Sequence, residues 1–131
     1  MKLTHASTYA LHAVAYMAQQ KHEGPVASHK IAEQRGIPER FLLKVLKPLV
    51  SARVLLSVKG PHGGYRLARP ATDITMLEIV EAVDGPIRGQ VPPLSGNGNR
   101  VDRMFEDVCN QAADKVRKQL QKVRISDLAN A

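Results

Sequence analysis

The chain has 131 residues, 44% hydrophobic and 24% charged, with a formal charge of +7. That length suits one compact domain and is short for two, and the apolar and charged fractions exclude global disorder. No apolar run nears the roughly 18–20 residues that cross a bilayer, no apolar signal core follows Met1-Lys2-Leu3-Thr4-His5, and one cysteine, Cys109, excludes an intrachain disulfide framework and a single-chain multi-cysteine metal site, so a cytoplasmic protein with no membrane partner is expected.

Thr4 can cap a helix running to about Gln20, with Tyr9, Ala10, Ala13, Val14 and Met17 at the spacing of a buried face. Glu23-Gly24-Pro25 ends it. A short helix over about Ser28–Gln34 points Ile31 and Ala32 inward, and Arg35-Gly36-Ile37 forms a tight turn around a glycine suited to a left-handed helix end. The next helix starts at Pro38 or Glu39, where a missing N–H is harmless and an acid suits the helix dipole. Leu42, Val45, Leu46 and Leu49 form its apolar stripe, and Pro48 predicts a bend. Residues 54–59 and 65–68 read as two strands joined by Gly60-Pro61-His62-Gly63-Gly64, and Pro70 ends the hairpin.

Asp73 or Thr75 then caps a helix to about Val83, with Leu77, Val80 and Val83 inward and Asp84-Gly85-Pro86 as its stop. Residues 87–99 lack periodicity and read as a flexible linker. In the last element, about Arg100–Arg124, Val101, Phe105, Val108, Ala112, Val116, Leu120 and Val123 recur at steps of 4, 3, 4, 4, 4 and 3. A rod of about 25 residues is roughly 37 Å long, more than a domain this size covers alone. The stripe therefore predicts a dimerisation helix, the alternative being an amphipathic helix folded onto its own core. The expected fold is mainly α with a small β-hairpin. It divides into a winged helix-turn-helix over 1–86, the linker 87–99, and a dimerisation helix with a C-terminal tail over 100–131.

Charge is uneven along this plan. Residues 1–69 hold eleven Lys and Arg against three acids (Glu23, Glu33, Glu39), and residues 70–131 hold eight against nine. The excess in the first half points to a polyanion partner, since Lys and Arg that neutralise phosphates drive nucleic-acid binding. A solvated basic surface without a partner is the plain alternative.

The order helix, short helix, glycine turn, longer helix, hairpin is that of a winged helix-turn-helix, whose second helix can enter a major groove. Glu39, Arg40, Leu43, Lys44 and Lys47 are its exposed residues. Arg40 and Lys44 are i, i+4 neighbours and point the same way. Arg40 can read guanine bidentately, and Lys44 or Lys47 can read a base or hold phosphate. In the hairpin, Gly63 and Gly64 permit close backbone approach, and Lys59, with His62 and Arg66 beside it, can enter a minor groove or touch phosphate. The glycine-rich turn does not lead from a strand into a helix, as a nucleotide phosphate loop would.

Met1-Lys2-Leu3-Thr4, Tyr9-Ala10-Leu11, Ile31-Ala32-Glu33, Gly36-Ile37-Pro38, Ser57-Val58-Lys59-Gly60-Pro61, the run Gly63 to Pro70, Ile74-Thr75, Val83-Asp84-Gly85-Pro86 and Ser126-Asp127-Leu128 resemble the Rrf-two (Rrf2) family of bacterial winged helix-turn-helix regulators. The segment Ser57–Pro70 is the most specific part. The resemblance implies a homodimeric transcription factor, expected to be a repressor, whose two recognition helices read a palindromic operator in double-stranded DNA. It places Lys59 in the minor groove and Arg40, Phe41, Leu43 and Lys44 at recognition-helix contact positions. Lys2, Thr4, Ser28 and Pro38 complete the candidate DNA-binding set.

Two departures from that family matter. Leu43 is apolar where a cluster-bearing member has an acidic base reader, so it either meets a thymine methyl or abstains. Cluster-bearing members also carry three cysteines in the linker and at the start of the long helix, whereas Gly85–Met104 holds none and Cys109 lies deeper in the helix. His12 matches a first-helix ligand of some members, but one His and one displaced Cys per chain do not supply the roughly four donors of a cluster. No cofactor or metal is therefore expected. His12 and Cys109 remain candidate sensor residues, the plain alternatives being an interhelix polar residue and a small buried one. The histidines His5, His22, His29 and His62 share no metal-ligand spacing, and no nucleophile–base pair, carboxylate pair or Walker loop is present, so an enzyme is not expected. The second functional reading is a redox- or ligand-sensing interaction module that docks a partner protein or takes a small-molecule effector.

Overall fold

The computed structural model describes residues 1–20, 24–92 and 100–131. Helix α1 spans His5–Gln19, and Thr4 caps it by accepting a hydrogen bond from the Ser7 amide at 3.0 Å. Ala10, Ala13 and Val14 are fully buried on its inner face. The Ser7 hydroxyl, also buried, donates to Asp84 at 2.6 Å, and the Thr4 hydroxyl lies 2.8 Å from the same carboxylate. Helix α2 is Ser28–Arg35. Gly36, at φ 64°, closes it in the left-handed region, where a Cβ would strain the turn. Helix α3 follows over Glu39–Ser51, with the Phe41 and Leu42 amides donating to the Pro38 carbonyl at 3.0 Å. Leu42, Val45, Leu46 and Leu49 are buried, and the helix continues through Pro48 to Ser51.

Strands β1 (Leu55–Val58) and β2 (Gly64–Leu67) pair antiparallel, with Leu55 opposite Leu67 and Val58 opposite Gly64. A contact not expected from sequence anchors this hairpin: Val26 and Tyr65 exchange two backbone hydrogen bonds of 2.8 Å. A 3-10 turn, Ala71–Asp73, then leads into α4, Met76–Asp84. Of the two expected caps Thr75 serves, in a reciprocal box with Glu78, and Ile79 joins Leu77 and Val80 in the core.

Helix α5 spans Arg100–Gln121 and stops short of Arg124 because the chain turns to pair with residues 74–76. The Val123 carbonyl accepts from the Met76 amide at 2.8 Å and the Ile125 amide donates to the Ile74 carbonyl at 2.9 Å. A short helix absent from the sequence expectation, α6 (Ile125–Ala129), follows. Leu120 and Ile125 sit in the same apolar cluster as Val14, Leu46 and Ile79. Residues 120–128 thus complete the core of the N-terminal part.

The expected linker is also tied down at its start. The Ile87 amide donates to Glu81 at 2.8 Å, and the Gly89 amide donates to the Asn110 side chain at 3.0 Å. Arg117 of α5 pairs with the same Glu81 carboxylate. The remainder of that linker, 93–99, lies outside the described residues, as do Glu23 of the first helix stop and His22.

Candidate nucleic-acid interface

The solvent face of α3 carries Glu39, Arg40, Phe41, Leu43, Lys44 and Lys47, all exposed because the stripe opposite them is core. Phe41 organises the cations around it. The Arg40 guanidinium carbon lies 4.7 Å from its ring centroid and the Lys44 ammonium 5.7 Å. Such pairs are worth about 0.5–1 kcal/mol each when exposed. Glu39 is turned towards α2, where the Ser28 hydroxyl donates to it at 3.3 Å. The two helices of the helix-turn-helix are thus joined at their N-termini as well as through the Gly36 turn, and Pro38 is exposed beside them.

Between α3 and the hairpin lies an open cleft of about 330 Å³ lined by Leu43, Lys47, Val50, Ser51, Ser57 and Tyr65. It places the basic face of α3 beside the face of the hairpin that carries Ser57 and Tyr65. Neither Ser57 nor Tyr65 was selected as a site residue from sequence; their cross-strand pairing, opposite each other in the register, is the signal that puts them on one face. The hairpin tip exposes Lys59 and His62. Gly64 is required there, since a Cβ would overlap the Val26 carbonyl. Arg66 is opposite Leu56, so the pleat sends it to the other face, away from the cleft. Thr4 is likewise set apart, because its side chain is used by the α1 cap and Asp84. Lys2 is exposed ahead of α1.

The expected dimerisation stripe divides in two. Val101, Phe105 and Val108 are 54–63% exposed, and Ala112 is exposed beside them. Met104, at 60%, completes this face; its spacing of three from Val101 and four to Val108 is the signal in the sequence. Leu120, in contrast, is buried in its own core, Val116 packs against that core and Val123 is half-buried, so these three are committed within the chain.

Cys109 is half-buried on α5, and the chain at Gly89 runs so close that a Cβ there would overlap the Cys109 and Asn110 backbone. His12 is exposed on α1, with its Nδ1 3.4 Å from a nitrogen of Arg35.

Residues 3–131 match the Rrf2 family, described as an iron-dependent transcriptional regulator. This chain belongs to the Rrf2 family. It is 33% identical over 119 residues to the rrf2-like HTH-type transcriptional regulator of Rhodobacter capsulatus, covering 88% of this chain and 77% of that one. It is 38% identical over 84 residues to the HTH-type transcriptional regulator IscR of Photobacterium profundum, 64% of this chain and 49% of that relative. Against several of the curated relatives it matches, this Rrf2 chain spans about half of their length, as with 54% of a Mycobacterium tuberculosis HTH-type regulator. Among solved structures it is similar to CymR, the global cysteine regulator of B. subtilis, with a TM-score of 0.78 and 26% identity over 99% of this chain and 97% of that one. T. potens IscR gives a TM-score of 0.73 at 26% identity over 99% and 87%. The fold is the winged helix shared by these regulators, which are not enzymes, and no helix among the described residues is long and apolar enough to cross a membrane.

The iron in the family description implies a metal group, and the donor set of this chain does not fit one. It has one cysteine in 131 residues, and no three His, Cys, Asp or Glu side chains among the described residues are grouped to hold an ion. A cluster needs about four donors.

Proposed function

We propose that this Rrf2 protein is a cytoplasmic, homodimeric, sequence-specific regulator of transcription, acting as a repressor on a palindromic operator without an iron–sulfur cluster. The observation that carries the reading is the continuity of α3 with the hairpin across the Leu43–Lys47–Ser57–Tyr65 cleft. It allows one duplex to meet a cationic helix and a cationic hairpin tip together. In this reading Arg40 and Lys44 reach base edges in the major groove, while Lys47 and Lys2 hold phosphate. Lys59, with His62, enters the adjacent minor groove. Leu43, exposed and apolar, meets a thymine methyl. Ser28 and Glu39 position the start of α3, and Arg66 reaches a flanking phosphate from the outer face of the hairpin.

The exposed α5 face of Val101, Met104, Phe105, Val108 and Ala112 joins two protomers. A twofold dimer presents two α3 helices to half-sites about one helical turn apart. Cys109 serves packing; identical operator affinity of Cys109→Ser and the parent, with and without peroxide, is the expected result.

The test is selection of bound fragments from random duplex DNA, followed by footprinting. Recovery of an inverted repeat with two protected half-sites supports the reading. Recovery of unrelated sequences with no protection rejects it.

A further inference from the structure

We propose that the groove between α1, α4 and α6 binds a small organic monocarboxylate, and that α3 responds to its occupancy through Arg35. The groove has a volume of about 310 Å³ and an apolar floor of Leu11, Ala15, Met76 and Leu128. At roughly 30 Å³ per heavy atom, the share of a water molecule, this holds on the order of ten atoms. Ligand sites are commonly of this kind: apolar walls with a few convergent polar groups. Here those groups are His12, Gln19 and Arg35.

Arg35 is held in place from α1. One guanidinium nitrogen donates to Gln19 at 2.6 Å, the other lies 3.4 Å from His12, and the guanidinium carbon sits 5.5 Å from the centroid of Tyr16. Its partners carry no negative charge, and no carboxylate pairs with it among the described residues. A fixed, unneutralised guanidinium at the rim of an apolar groove is complementary to a carboxylate on a short apolar chain, because the planar fork takes both carboxylate oxygens. Such a ligand replaces the Gln19 amide oxygen as acceptor, with no covalent change.

The route to α3 is short. Arg35 is the last residue of α2, the next residue is the left-handed Gly36, and α3 begins at Glu39. Exchanging the α1 tether of Arg35 for a ligand changes what holds the α2–α3 turn. The binding claim stands by itself; the response of α3 rests on the DNA-binding function proposed above.

The probe is octanoate, titrated calorimetrically into the full chain beside octan-1-ol and octylamine at low and high protein concentration. Octanoate is expected to bind at least tenfold tighter than either analogue. Arg35→Met is expected to lose at least tenfold and Arg35→Lys to recover part of it. If Arg35→Met does not fold, Ala15→Leu, which fills the groove, is expected to show the same loss. On a selected duplex, octanoate is expected to change affinity at least threefold in the parent and not in Arg35→Met. Equal binding of the three probes, undiminished binding by the Arg35 variants, or loss of octanoate as protein concentration rises (a second copy in the groove) each overturns the proposal. Octanoate binding with unchanged duplex affinity overturns the link to α3. A protein that binds no duplex at all removes the DNA reading, while the titration still decides the groove.

Discussion

Arg40 and Lys44 carry their charges on flexible stems, and the Phe41 ring between them restricts where those stems go. A guanidinium held over a ring keeps its donor fork free for a base edge, whereas an ammonium acts as a point charge. Arg40→Ala is therefore expected to cost about 1–3 kcal/mol and to relax preference at one base position per half-site. Lys47→Ala, which removes a phosphate contact, should weaken all duplexes alike, and competition binding over a set of single-base operator variants separates the two. The basic residues of this face were legible from charge and i, i+4 spacing. The hold of Phe41 on the two cations was not, because spacing alone does not show which side chains stack on a ring. At Glu78, partial burial raises the carboxyl pKa. The Arg69 hydrogen bond, the Thr75 amide, the Arg69 charge and the Thr75 hydroxyl outweigh it, leaving the pKa below its ordinary 4.5. A pKa depressed on folding stabilises the protein above the unfolded value, and that contribution disappears as pH falls through the folded one. Glu78→Gln should then be less stable than the parent at neutral pH by under about 1 kcal/mol, since the ion pair is partly exposed. The gap should close as pH falls below 4.5. Urea unfolding of both proteins across that range measures it.

At the scale of the element, the hairpin depends on an approach that only glycine allows. Gly64→Ala forces a Cβ into the Val26 carbonyl, so the paired Val26–Tyr65 hydrogen bonds should open. The expected signs are faster hydrogen exchange at the Tyr65 amide and a lower melting temperature, with α1 to α3 retained. Helices α1 to α4 and both strands were readable because each has its own signal: a cap, a stripe or a glycine turn. The Val26 pairing and α6 were not. Val26 is an isolated bridge with no alternation around it, and α6 has only Ile125–Ala129, too short to show a period. The end of α5 was overrun because Val123 sits where the next stripe residue would be, yet its carbonyl is used by Met76. The same stripe hid a division that only burial reveals: Val101, Phe105, Val108 and Ala112 are exposed, whereas Val116, Leu120 and Val123 are committed to their own chain. Val108→Asp puts a charge in the proposed joint and leaves the core untouched. Sedimentation should show a monomer at micromolar concentration, with secondary structure unchanged by circular dichroism and operator affinity lowered at least tenfold.

For the whole molecule, the charge partition between the two halves of the chain sets the expected response to salt. With Lys2 and Lys47 on phosphate and Lys59 in the negative potential of the minor groove in both protomers, log K should fall steeply with log salt, by about 0.9 per charge neutralised. Removing Lys59 should reduce that slope by about two, one contact in each half of the dimer. Titrations from low to moderate salt give both slopes, and a flat profile on selected DNA rejects the arrangement.

Helix α5 joins these scales. Its C-terminal half is bound to α4 through Glu81 and Arg117 and buried through Leu120, while its N-terminal half carries the proposed joint. It is therefore the arm of a caliper with no compliant wrist. Its 22 residues span about 33 Å, and a pivot of ten degrees at one tip displaces the other by roughly 6 Å, more than the ~3.4 Å step between stacked bases. Whatever alters the crossing of the two arms resets the stride between the reading faces, and operator spacing, rather than operator sequence, becomes the quantity that reports it.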